Sequence, residues 1–116
     1  MKNSKLFGMS FARIYNLYVK KVERKGRSKS EVNDVIKWLT GYSQSELNSQ
    51  IKKDVDMETF IKESPDLNPS RKLIKGIICG VRVEDIEDPI MQIIRYMDKL
   101  VDEVAKGRAM EKILRK

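Results

Sequence analysis

Asp88-Pro89 opens the longest periodic apolar stretch of the chain. Ile90, Ile93, Ile94, Met97, Leu100, Val101 and Val104 follow at helical spacing, and Gly107 ends the run. The aspartate supplies an N-cap, and the proline suits a first helical turn whose amide has no partner. A stripe of this length predicts a long helix with one continuous apolar face. Such a helix draws its stability from tertiary packing, so the rest of the chain must cover it.

Shorter segments of the same kind precede it. Ser10 is a predicted N-cap for a helix carrying Phe11, Ile14, Tyr15, Tyr18, Val19 and Val22, with Gly26 beyond its end. Ser28-Lys29-Ser30-Glu31 reads as a capping box opening a helix with Val32, Val35, Ile36 and Leu39, Trp38 beside that stripe, and Gly41 as its stop. Ser43-Gln44-Ser45-Glu46 repeats the box before Leu47 and Ile51. Asp56 or Asp54 starts a short helix with Met57, Phe60 and Ile61, ended by Ser64-Pro65. Asn68-Pro69 is another start signal, and the apolar run from Leu73 to Val81 predicts a helix buried on most sides, with a strand at 77–83 as the alternative. After Gly107, a last helix over Arg108–Leu114 continues the long one or turns away from it. The expected fold is all-α: one compact domain over 9–116, of about six helices around a buried central helix at 69–81, after a flexible segment at 1–8.

Two long stretches are specific in detail: "ERKGRSKSEVNDVIKWLTGY" (Glu23–Tyr42) and "ICGVRVEDIEDPIMQIIRYMDKLVDEVAKGRAMEKILRK" (Ile78–Lys116). They resemble an uncharacterised, mainly bacterial family, domain-of-unknown-function family 2200, and the likeness runs from about Met9 to the end. The resemblance implies a small multihelical fold wrapped around a buried central helix. It brings no activity, substrate or catalytic residue.

Several chemistries are excluded by residue content. There is no histidine, which removes the commonest general base and zinc ligand and any Ser–His or Cys–His pair. One cysteine cannot form an internal disulfide. No apolar run is long enough to cross a bilayer, and the first residues lack a signal-peptide core. These points lead to the expectation of a cytoplasmic, non-membrane protein with no cofactor, and with no residue assigned as catalytic or metal-ligating.

The net charge of +7 is uneven, with residues 1–30 holding nine Lys/Arg and one acid, Glu23. The run Lys20, Lys21, Arg24, Lys25, Arg27 and Lys29 is a candidate for phosphate contact, set against an ordinary solvated helix end. The helices at 28–40 and 43–53 have the lengths of a helix-turn-helix, and Gln44, Ser45 and Asn48 (with Ser49) would face nucleic acid. A second candidate is the polar group Arg82, Glu84, Asp85 and Glu87, for carboxylate chemistry, a hard cation or a small molecule. Its spacing is not that of an EF-hand loop, and its later acids also serve as charges at the start of the long helix. Cys79, late in the apolar run, is expected to pack as a small buried hydrophobe rather than to present a reactive thiol. Tyr15, Tyr18, Trp38 and Tyr42 are of a type that stacks on bases, but core packing is the simpler role. The functional expectation is a non-enzymatic binding or interaction module with an anionic partner, nucleic acid in particular. An enzyme or metal-dependent binder built on 82–88, a protein partner and a structural homo-oligomer on the Ile90–Val104 stripe stay open.

Overall fold

The computed structural model describes residues 2–115; Met1, in the lead-in, and Lys116, at the end of the domain, lie outside the described residues. The chain folds into α1 (Lys2–Phe7), α2 (Phe11–Glu23), α3 (Lys29–Thr40), α4 (Gln44–Lys53), α5 (Met57–Lys62), β1 (Ile77–Ile78), β2 (Val81–Arg82), α6 (Pro89–Ala105) and α7 (Met110–Ile113). Tight 3-10 turns occupy Pro69–Leu73 and Val83–Asp85. The architecture is an all-α domain with one minimal antiparallel hairpin.

Capping residues fix where the helices begin. Ser10 accepts from the Arg13 amide at 3.1 Å. Ser28 with Glu31, and Ser43 with Glu46, form reciprocal boxes at the starts of α3 and α4. Asp56, not Asp54, caps α5. Asp54 instead ends α4 in the left-handed region at φ 54, and its carboxylate accepts from the Ser10 hydroxyl at 2.5 Å. Gly41 ends α3 at φ +81, and a Cβ there would stand 2.7 Å from the Asp66 carbonyl oxygen. Only glycine meets both demands. Asp88 accepts from the Ile90 and Met91 amides, both at 3.0 Å, so the start of α6 forms as its sequence implies.

α6 is the centre of the fold. Its stripe residues Ile94, Met97, Leu100, Val101 and Val104 are fully buried, and Tyr96 and Glu103 are buried on other faces. It packs against α2, α3, α5, α7 and the hairpin. A second focus joins α2 to α5: Phe11 stacks on Phe60 with centroids 3.6 Å apart, and the Tyr42 hydroxyl donates to the Phe60 carbonyl at 2.7 Å. The chain turns off at Gly107 into α7. Arg115 closes this end with bonds of 2.7 and 2.8 Å to the buried Glu103 carboxylate, which also takes Arg108 at 3.2 Å.

The buried helix expected at 69–81 is not formed. Its first part is the 3-10 turn at Pro69–Leu73, and its second is the hairpin, the alternative named for that stretch. Ile78 pairs with Val81, leaving Cys79 and Gly80 as a two-residue turn with φ +53 and +79. Two successive positive φ values are what a tight type I′ hairpin requires. Gly76, at φ +115, breaks the helix before it starts. The β-branched pair Ile77-Ile78 and Val81 suit a strand as well as they suit a helix core. Ile77, Val81 and Cys79 are exposed, so Cys79 is not the buried hydrophobe expected. The central buried helix exists, but it is α6.

Candidate functional site

A cleft of about 280 Å³ opens between α2, the hairpin and α6. The period of α2 sets one wall, because Ile14, Leu17, Tyr18 and Lys21 fall on a single helical face. α6 sets the opposite wall with Ile94, Arg95 and Asp98. The hairpin contributes Ile78 and Cys79, while Met57 and Leu6 complete the apolar side. Leu17 stands at the lip with 54% of its surface exposed. Cys79 reaches the cleft because the hairpin turn holds it at φ +53, outside the regular strand.

One end of the cleft is polar and ordered. The Tyr18 hydroxyl donates to one oxygen of Asp98, and Arg95 donates to the other at 2.8 Å. Burial, followed by the adjacent Asp98 carboxylate, holds the Tyr18 pKa well above the usual tyrosine value. The phenol therefore stays protonated and acts as a donor, not a base. One helical turn along α6, Asp102 takes Lys21 at 3.1 Å and Lys106 at 3.0 Å. Burial raises the Asp102 pKa, but the bonds from Lys106 and Lys21 outweigh it and leave the group below its usual range. The arrangement is a set of mutually neutralising pairs with donors left over, on the rim of an apolar hollow. That is the usual make-up of a small-molecule site: mostly apolar walls with a few placed polar groups.

The residues singled out in the sequence are distributed as follows. Lys20, Arg24, Lys25 and Lys29 are exposed around the α2–α3 turn and form no ion pair among the described residues. Lys21 belongs to the cleft. Arg27 is bound into the fold: it pairs with Glu31 at 2.7 Å and donates to the Val104 and Arg108 carbonyls, both at 3.1 Å, satisfying the end of α6. On α4, Gln44, Ser45 and Asn48 are exposed, and the Gln44 amide donates to Asn48 at 3.0 Å. α3, of 12 residues, lies between the two groups in the sequence, and α2 and α4 also touch one another directly.

Arg82 lies on the surface, 3.8 Å from Glu84 and 3.9 Å from Asp85. Glu84 accepts from the Gly76 amide at 3.0 Å and so braces the hairpin, while Glu87 is exposed. None of these four lines the cleft. Among the described residues no group of three or more potential ligands is placed to hold a metal ion. The apolar side chains of α6 pack into the core; the large apolar residues left exposed are Met9, Leu17, Leu73, Ile77 and Val81. Tyr15, Tyr18 and Tyr42 are buried and Trp38 packs against the core.

Reasoning from sequence did not find the Tyr18–Asp98–Arg95 group. Tyr18 and Asp98 are 80 positions apart. The available signal was Arg95 and Asp98 three apart on the longest helix, together with a hydroxyl-bearing aromatic on an otherwise apolar stripe.

No helix among the described residues is long and apolar enough to cross a membrane. No curated protein matches the chain. The crystal structure of an uncharacterized protein, SP1917, is similar at 45% identity and a TM-score of 0.91, covering 95% of this chain and 90% of the other. The model of a family described as an uncharacterized protein conserved in bacteria, domain-of-unknown-function family 2200, matches residues 5–115. The chain belongs to that bacterial family.

Proposed function

We propose that the protein is a non-enzymatic binding module that seats a small, largely apolar molecule in the cleft between α2, the hairpin and α6. The observation that carries this reading is the make-up of the cleft. Its walls are aliphatic, and its polar side chains neutralise one another instead of standing free as a nucleophile and base. Asp98, the one carboxylate of the lining, accepts from Tyr18 on one oxygen and from Arg95 on the other, which suits a role in fixing those two side chains. A lone exposed thiol suits a reducing compartment, which supports a cytoplasmic location for the module.

The thiol also makes the reading testable. Cys79 is the single cysteine and lines the cleft. Its rate of alkylation by iodoacetamide, a neutral reagent, is expected to fall several-fold as 1-octanol fills the site. A rate unchanged up to the solubility limit of the alcohol would overturn the reading.

A second reading, contact with a polyanion such as nucleic acid, is supported by the free cations Lys20, Arg24, Lys25 and Lys29 around one turn. A surface of this kind gives salt-dependent binding without base selectivity. Its test is retention on a phosphate-bearing column at low ionic strength, compared with a variant in which all four are glutamine. Equal elution of the two would refute it.

A further inference from the structure

We propose that the molecule seated in the cleft carries a carboxylate, bound by Arg95 and Lys21, with its apolar body between Leu17, Ile14 and Ile78. This rests on the cleft being the binding site, and it assigns the chemical class of the ligand.

The argument is one of donors and charge. Lys21, Arg95 and Asp98 line the cleft, and Asp102 with Lys106 stands beside Lys21, so three cations meet two carboxylates and one positive charge is left over. Asp98 is engaged on both oxygens, by Tyr18 and by Arg95. Arg95 reaches Asp98 through Nη1 alone; its Nη2 and Nε meet no acceptor among the described residues. A guanidinium has five N–H donors in a planar fork, so one bond leaves an edge suited to a second carboxylate. The Arg95 side chain is 24% exposed, sheltered enough that its unmade bonds matter and open enough to be reached. Lys21 has three donors and one acceptor partner, Asp102, and is 45% exposed on the same rim. A cationic ligand would meet Arg95 and Lys21 with no unengaged acid in the lining. A neutral one would leave the surplus donors to water.

Size narrows the class further. At about 30 Å³ per water-sized group, the cleft holds roughly nine groups, the volume of a medium-length alkyl chain and its head.

Octanoate, 1-octanol and octylamine share one shape and differ in the head. Titrated calorimetrically into the full chain at neutral pH, octanoate is expected to bind about tenfold more tightly than 1-octanol, the size of one charge-assisted hydrogen bond. Octylamine is expected to be the weakest. Lys21→Met and Arg95→Met are each expected to bring octanoate to within about twofold of the alcohol. Arg95→Met also removes a partner of Asp98, so Arg95→Lys is measured beside it. This variant keeps the charge near Asp98 but loses the fork, and is expected to lose several-fold in octanoate affinity. If 1-octanol or octylamine binds as tightly as octanoate, the carboxylate assignment is overturned while the cleft stands. If none of the three binds, the cleft reading itself falls.

Discussion

Replacing Cys79 by asparagine separates the hairpin from the buried helix by the sign of its effect. In the hairpin, Cys79 occupies the first turn position at φ +53. An ordinary L-residue in the left-handed region carries a cost of about 1–2 kcal/mol, whereas asparagine visits that region readily. The side chain is exposed, so the new amide is hydrated in the folded state. Relieving roughly half of the backbone cost stabilises the protein by about 0.5–1 kcal/mol. With a urea dependence of about 1.5 kcal/mol per molar, the unfolding midpoint rises by roughly 0.3–0.7 M. Cys79→Ala is the control. It removes the thiol but is no better suited to positive φ, so its midpoint stays near or below that of the parent. Were residue 79 instead inside a buried helix, asparagine would place an unpaired amide in the core and lower stability by about 1–3 kcal/mol. A midpoint that falls for Cys79→Asn would refute the turn assignment and, with it, the position of the thiol in the cleft.

Other outcomes follow from the same contacts. Arg115→Ala deprives the buried Glu103 carboxylate of its two shortest bonds, at 2.7 and 2.8 Å, and is expected to destabilise by about 2 kcal/mol; an unchanged thermal midpoint would show that α7 is not held through this pair. Glu31, bonded by Arg27, and Asp56, bonded by the Thr59 amide, have depressed folded-state pKa values. The stability they contribute is complete above the ordinary carboxylate range, near pH 4, and is lost as pH falls through their lowered values. Tyr42 is pushed the other way, up to about 12, by burial and then by the Glu63 carboxylate. Its contribution is complete below the ordinary tyrosine value near 10 and is lost as pH rises through the folded value. With no histidine to titrate, stability measured by urea unfolding is expected to be flat from about pH 5 to 7; a step inside that window would contradict the assignment.

Local signals in the sequence carried most of the helical framework. Ser28 with Glu31, Ser43 with Glu46, and Asp88 with Pro89 each act within four residues, so the chain reveals them without its fold. The hairpin was hidden because Ile77-Ile78-Cys79-Gly80-Val81 has no alternation of apolar and polar residues, and such a short apolar run suits either state. Backbone conformation decided it, through Gly76, Cys79 and Gly80 at positive φ. Gly76 and Gly80, at φ +115 and +79, are breaks that prevent a helix there. The cleft was illegible for a different reason. It needs Leu17 and Tyr18 from one helix, Ile78 from the hairpin and Asp98 from another helix, and no local pattern reports such a meeting. The basic run is visible in the sequence, but the sequence does not show that Arg27 is bound to the end of α6 while Lys20 and Arg24 are free.

The most direct test of the cleft as the binding site is a two-dimensional amide NMR titration of the isotope-labelled full chain with octanoate. The expected result is a saturable set of shifts confined to residues around the hollow: Leu17 and Tyr18 on α2, Ile78 and Cys79 in the hairpin, and Arg95 and Asp98 on α6. Shifts that instead centre on Lys20–Lys29 or on Gln44–Asn48, or that grow linearly without saturation, would contradict a ligand site in the cleft.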